Sequence, residues 1–400
     1  MEDVEVEGSA MSRARLRILT IAPTPWFSDR GCHVRILEEV RALRNRGHHL
    51  RLVSYHIDRD VGDIRAIRIR RVPWYRQVAP GGSISRFYLD WLVLGKAMAV
   101  ARRFRPDIIH GHLYQGAAIG KLVGLRCGIP VVFDFQSSMS SELCESGLIP
   151  ARGLRMWLTR QVERGLASLP DHIVLSSERA RDLLLSWGLP ASKLTNLPDG
   201  VCLEHFDSFE SDPTLRARLG IPEGVPLGVY AGTLNEIEGT SSLLRIIRRV
   251  LAMKDCWFLI IGYPDAPYRE MAHELGIQAR TVFVGRTRYE DVPRYLKLGT
   301  FAVTTKQSAT EANAKLFAYM AAGLPVVVYD NAVSREALGP HGCYVTGGEE
   351  EFARQIVRQT EASNESGAHL RKRLEERFTW DRLVLTLEEV YDRVIESRRG

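Results

Sequence analysis

Apolar residues along this chain come in short runs, and the runs alternate with stretches of helical spacing. Leu16–Ala22 is a compact apolar run closed by Pro23 and Pro25, which predicts a buried strand. From Gly31 to about Arg46 the apolar positions Val34, Leu37, Val40 and Leu43 recur at helical intervals. Gly47 then stands where a helix-ending glycine belongs. His49–His56 predicts the next strand, and the Arg/Ile alternation of Ile64–Val72 predicts a half-exposed one. A helix over Ser85–Phe104, a strand over Asp107–His112, a helix from Gln115 and strands over Pro130–Gln136 and His172–Ser177 follow.

The cycle then starts again. Pro226–Gly232, Cys256–Gly262, Thr281–Gly285, Phe301–Thr305 and Pro325–Asp330 are apolar runs separated by helical periodicity. Strands alternating with helices imply parallel sheets covered on both faces. Two such series predict an α/β chain of two doubly wound, Rossmann-like domains. Their boundary is expected near Phe206–Pro213, where Asp207, Ser208, Glu210, Ser211 and Asp212 break both periods. Ligands of such sheets bind beyond the strands' carboxyl ends, so the expected site is the cleft between the domains.

Composition narrows the picture only slightly. With 400 residues, 45% hydrophobic and 26% charged, the chain has the make-up of an ordinary globular protein of two or three domains. No segment approaches the roughly 20 apolar residues that span a bilayer. The net charge of +6 permits an anionic ligand or surface and selects none. Cys32, Cys127, Cys144, Cys202, Cys256 and Cys343 show no CxxC spacing, which fits reduced thiols in a cytoplasmic chain. Residues 1–15 are expected to be a disordered tail; their acidic start has no apolar core of a secretory signal.

The most informative stretch is Thr310–Val328. A strand leads into a polar loop, a helix, Gly323 and a β-branched strand. The helix N-terminus would point out of the strand ends and favour an anion, with Lys315 in its first turn. In the first half, the Ser28–His33 loop carries Gly31 at a strand-to-helix turn, where the backbone can approach a phosphate or sugar closely. Asp58-Arg59-Asp60 has DxD form, a match short enough to arise by chance. His110 and His112 share one strand face, but no third ligand is apparent, so no metal is expected. Arg65, Arg68, Arg70, Arg71 and Arg76, interleaved with Trp74 and Tyr75, suit either a solvated edge strand or peripheral contact with an anionic membrane. No recognition fold for nucleic acid is present.

Five motifs in order resemble the retaining glycosyltransferases of family 4, which have the GT-B fold. Asp107–His112 resembles the strand carrying the family's first-domain histidine. Asn196–Val201 with Phe206 resembles its hinge, and Tyr230-Ala231-Gly232 with Gly239 the opening of its second domain. Lys315–Val327 resembles the donor-site helix, and Phe378-Thr379-Trp380 the start of a helix crossing back to the first domain. The resemblance spans about Leu16–Arg393. It implies an acceptor domain at 16–208, a donor domain at 209–378 and a crossing helix at 379–400.

The resemblance further implies a nucleotide-sugar donor, a glycan or lipid-linked acceptor, retention of configuration and no metal cofactor. It assigns His112 to catalysis, and Glu311, one residue past the family's glutamate position, is the catalytic candidate that would stand in for it if the loop shifts. Gly31, Gly232, Thr233, Asn313 and Ala314 are expected at the donor, with Arg286, Lys306 and Lys315 as candidate cations for its diphosphate; Asp134 and Gln136, ending a strand that faces the cleft, and Arg30 are the candidate acceptor contacts. Four positions depart from the family pattern. The two glutamates of the donor helix fall at Thr310 and Ala318, and the diphosphate-holding Arg and Lys fall at Thr233 and Glu238. These departures leave two other readings open: a catalytically silent GT-B scaffold and a GT-B nucleotide-sugar epimerase.

Overall fold

The computed structural model describes residues 14–28, 31–57, 59–75, 84–145, 147–307 and 313–399. Most of the tail expected at 1–15, and Arg30, Asp58, Arg76, Thr310 and Glu311, lie outside the described residues.

Thirteen strands form two sheets among the described residues. The first holds β1 (Arg17–Ala22), β2 (His49–Ser54), β3 (Ile67–Arg68), β4 (Ile108–His112), β5 (Val131–Phe135), β6 (His172–Leu175) and β7 (Leu194–Asn196) in the order β3-β2-β1-β4-β5-β6-β7. The second holds β8 (Leu227–Ala231), β9 (Trp257–Ile261), β10 (Thr281–Gly285), β11 (Phe301–Thr304), β12 (Val326–Tyr329) and β13 (Cys343–Val345) in the order β10-β9-β8-β11-β12-β13. The pairings between these strands are parallel. Central strands such as β5 and β8 are buried at every residue, as continuous apolar runs require when helices cover both faces. The strand order reverses between β1 and β4 in one sheet and between β8 and β11 in the other. Those are the two switch points where a crevice opens.

The strand expected over Ile64–Val72 shrinks to Ile67–Arg68. It lies at the sheet edge, and the side chains of Ile69 and Val72 turn into the core under the helix Ile84–Phe104 instead of continuing the alternation. The edge strands β7 and β13, three residues each, carry no readable period and were not anticipated.

The chain changes core twice. Val201, Phe206, Leu215 and Ile221 already pack with the second sheet. Phe378 belongs to that same core, whereas Trp380, Leu383, Leu387 and Tyr391 pack with β1, β4 and the helix Gly31–Asn45 of the first domain. The last helix, Trp380–Arg399, therefore crosses back over the first sheet. Glu388 fastens it there, accepting hydrogen bonds from Arg46 at 2.9 Å and 3.1 Å and facing His48 Nε2 at 2.9 Å.

Candidate active site

At the β8/β11 switch point the chain assembles a compact charged cluster. Lys306 stands two residues past the end of β11, and Lys315 sits in the first turn of the helix Ala314–Ala321. Both ammonium groups meet the Glu238 carboxylate: Lys306 Nζ lies 3.2 Å from it, and Lys315 Nζ forms a close ion pair with its other oxygen. Lys315 also donates to the Tyr230 hydroxyl at 3.2 Å and lies over that ring at 4.6 Å. Gly232, with φ +154°, makes the seat. A Cβ there would stand 3.0 Å from Lys315 Cε and Nζ.

Burial by itself would push the Glu238 carboxyl up. Lys315, and then Lys306, overcome it and hold the group at about 2. So Glu238 is an anion held between two cations, beside a helix start whose Asn313 makes no side-chain cap. Free N–H groups of that first turn add positive potential at the same place. Thr233 contributes its carbonyl, which accepts from the Tyr230 hydroxyl at 3.1 Å. Ala318 is half-buried against the second core and offers no polar atom.

Arg286 is exposed, one residue past β10, at the far edge of the sheet. Among the described residues no hydrogen bond or ion pair joins it to the lysines. The structure thus brings together Gly232, Thr233, Lys306, Asn313, Ala314 and Lys315 and leaves Arg286 apart.

Across the cleft, the helix Gly31–Asn45 points its N-terminus at this cluster. A Cβ built on Gly31 would touch Ala314 Cβ at 4.0 Å. The preceding loop is clamped by His33, whose Nδ1 lies 3.1 Å from the Ser28 N–H and 2.8 Å from its hydroxyl, while Nε2 faces Thr24 Oγ1 at 2.6 Å.

His112 ends β4 next to this loop, and it is fully enclosed. Its Nδ1 pairs with Asp134 Oδ2 at 2.8 Å, which fixes the ring's orientation. Asp134 is itself fully buried, accepting from Arg35 at 3.0 Å and 3.1 Å and from Gln136 Nε2 at 2.6 Å. Burial alone would raise its pKa. The Arg35 guanidinium, and then His112, pull it far below the ordinary carboxylate range. Arg35 continues the chain to Asp199 at 2.9 Å and to the Leu197 carbonyl at 2.9 Å. The expectation that Asp134 faces an acceptor meets a different geometry. In this conformation it has no exposed surface, and it works on His112.

The next residue, Leu113, has φ +61°, a left-handed conformation that is costly for a branched side chain and that lets the following helix start directly at the strand end.

The structure also supplies a third group beside the two histidines. Glu39 Oε1 lies 3.0 Å from His110 Nδ1 and 3.6 Å from His112 Nε2, and all three residues are fully buried. The set does not fit a metal well. The two imidazoles stack at 4.5 Å with 14° between planes, so their in-plane lone pairs run side by side and do not converge. His110 Nδ1 already faces the Tyr391 hydroxyl at 2.6 Å.

Sequence reasoning missed Arg35, Glu39 and Tyr391. Charged residues on a helix read as its solvent face. Here the helix is packed between the sheet and the crossing helix, so His33, Arg35, Glu38 and Glu39 are buried along with its apolar residues.

The two domains touch around Tyr289 and Glu290. Tyr289 inserts into the first domain's core against Phe27 at 6.2 Å. Glu290 accepts from Arg59 at 2.9 Å and 2.8 Å. On the other side, Glu336 accepts from the Glu178 N–H at 3.0 Å and from Asn196 Nδ2 at 3.3 Å. Of the described residues, no helix is long and apolar enough to cross a membrane.

Comparison with known proteins agrees with this architecture. Residues 30–200 match the family described as "Glycosyl transferase 4-like domain", and residues 226–361 match "Glycosyl transferases group 1". The chain is 24% identical over 335 residues to alpha-monoglucosyldiacylglycerol synthase of Streptococcus pneumoniae, covering 79% of this chain and 71% of that protein. It is 26% identical over 337 residues to sulfoquinovosyl transferase SQD2 of Arabidopsis thaliana, covering 80% and 61%. Among solved structures, sucrose-phosphate synthase from Thermosynechococcus elongatus superposes with a TM-score of 0.78 at 18% identity, covering 96% of this chain and all of that one (100%). Anabaena HepE in complex with UDP-glucose superposes with a TM-score of 0.72 at 15% identity, covering 94% and 100%.

Proposed function

Because the chain belongs to the GT-B glycosyltransferases of the family-4 type, we propose that it moves a sugar from a nucleotide-sugar donor to a glycan or lipid-linked acceptor. Transfer retains the anomeric configuration and needs no metal. The observation that carries this reading is the convergence of Lys306 and Lys315 on one half-buried carboxylate at the β8/β11 switch point. Two ammonium groups and a helix N-terminus aimed at one spot suit a leaving diphosphate, whose charge grows as the glycosidic bond breaks. On this reading Glu238 takes the place of a phosphate and yields it when the donor enters. The substitution of Lys by Glu at 238 is then matched by lysines arriving from β11 and the donor helix.

The sugar lies toward Gly31 and His112, with Asn313 on its other side. His112 Nδ1 is held by Asp134, which Arg35 backs, while its Nε2 faces Glu39 Oε1 at 3.6 Å, a contact the ring gives up when Nε2 turns to the sugar. Asp134 and Gln136 are positioning residues for it. The similarity to the pneumococcal alpha-monoglucosyldiacylglycerol synthase supports a lipid-linked acceptor, and the UDP-glucose complex of HepE supports a nucleotide-sugar donor.

The test is product analysis with a panel of nucleotide sugars, with and without glycan and lipid acceptors. Acceptor-dependent product with unchanged anomeric configuration is expected. His112→Ala should lower turnover by roughly 100-fold or more. Sugar isomerised without acceptor would favour the epimerase reading. Absence of any nucleotide binding would favour the scaffold reading, which the neutralised lysines and Ala318 motivate.

A further inference from the structure

The helix Leu154–Ser168 is built inside out. Its buried residues are Met156, Glu163 and Ala167. Glu163, the only acid between Gly147 and Leu169, is enclosed and accepts from the Tyr114 hydroxyl at 2.6 Å. The opposite face carries Leu154, Trp157, Leu158 and Val162, which are 71%, 56%, 48% and 56% exposed. At 100° per residue these four span one continuous stripe, with Gly165 between Val162 and the exposed Leu169. Arg152, Arg155, Arg160 and Arg164 are all exposed around it.

Neighbouring helices extend the surface. The helix Leu113–Cys127, packed beside this one, exposes Leu122, Leu125 and Arg126 and contains no acid. The helix Ile84–Phe104, packed beside that, exposes Phe87 and Trp91, each 71% exposed.

A water-facing helix does not gain by placing tryptophan and leucine outward and glutamate inward. A second copy is a poorer occupant, because a two-fold contact centred on this helix would set arginine against arginine; its own acid, Glu163, is buried, and Asp90 on the helix Ile84–Phe104 is half-buried and accepts from the Tyr55 hydroxyl. An anionic lipid surface answers both features: acyl chains take the apolar stripe, and headgroup phosphates take the arginines. We propose that this three-helix face, centred on Leu154–Ser168, docks on an anionic lipid bilayer. It is a different surface from the Arg65–Arg71 segment, where Arg68 is engaged by Asp60 at 2.8 Å. The proposal stands apart from the transfer reading, since docking needs no donor.

The experiment is sedimentation of the full chain with vesicles of phosphatidylcholine alone or mixed with phosphatidylglycerol, without nucleotide sugar. Binding to the mixed vesicles, weakened by salt, is expected. The W157S/L158S variant should bind at least about tenfold less. The R155Q/R160Q/R164Q variant should lose about a hundredfold on the mixed vesicles. Both variants replace exposed side chains, so an unchanged unfolding midpoint certifies the fold. No sedimentation of the native chain, or equal binding by both variants, would overturn the proposal. So would native chain that is dimeric in solution and becomes monomeric in W157S/L158S, which would make the face a protein interface.

Discussion

Glu238 decides how the donor site behaves, because two lysines are spent on it before any ligand arrives. Replacing it with Gln leaves two poorly solvated ammonium groups facing a neutral amide. The apo protein should lose roughly 1–3 kcal/mol, read as a lower unfolding midpoint. The same variant should bind pyrophosphate more tightly than the native chain, since nothing has to be displaced. The pH dependence follows from the sign of the shift. The folded carboxyl sits at about 2, below its ordinary value of 4.5. Its contribution is therefore fully present above about 4.5 and disappears as pH falls toward 2. Acid titration of the unfolding midpoint should show this loss in the native chain and a shallower slope in Glu238→Gln.

At the scale of elements, the first sheet depends on what the crossing helix brings to it. Tyr391 is fully buried and its hydroxyl meets His110. Tyr391→Phe should cost about 1 kcal/mol by losing that bond, and Tyr391→Ala about 3–5 kcal/mol by opening a cavity under β4; denaturant unfolding separates the two. His172 on β6 gives a second test. Burial, then Arg393 and Lys193, lower its pKa from 6.5 to about 4. It must stay neutral in the fold, so stability should drop as pH falls from about 6.5 to 4, and His172→Gln should flatten that window.

The elements also show what a sequence can and cannot carry. The main central strands announce themselves as apolar runs, because a parallel strand covered on both faces has no polar side. β7 and β13 are too short for any period, and β3 ends where its side chains turn under a helix. The donor helix was legible from Asn313 to Gly323, since its loop, lysine and terminal glycine each leave a mark. Arg35 and Glu39 were not, because only the packing of a second helix turns a charged face inward. Nor did spacing reveal that Glu238 would sit between Lys306 and Lys315, which are distant from it in the chain.

At the scale of the whole molecule, the contacts around Tyr289 and Glu290 are among those that set how the domains meet. Tyr289 enters the first domain's core, and the Arg59–Glu290 pair beside it is about one-third exposed on each partner. A pair that exposed contributes at most about 1 kcal/mol and is screened by salt; the tyrosine contributes more through burial. Tyr289→Ala should therefore open the cleft, giving a larger radius of gyration by solution scattering. Arg59→Gln should do so only slightly. An unchanged radius in Tyr289→Ala would mean that other contacts set the domain angle.

The central claim is that Lys306 and Lys315 form a diphosphate site which Glu238 occupies in the empty protein. Calorimetric titration of nucleoside diphosphates into the native chain, Glu238→Gln and Lys315→Ala tests it most directly. The account predicts measurable binding to the native chain, tighter binding to Glu238→Gln, and at least about tenfold weaker binding to Lys315→Ala, equivalent to 1.4 kcal/mol or more. Equal affinity in all three proteins, or no binding to Glu238→Gln, would contradict it.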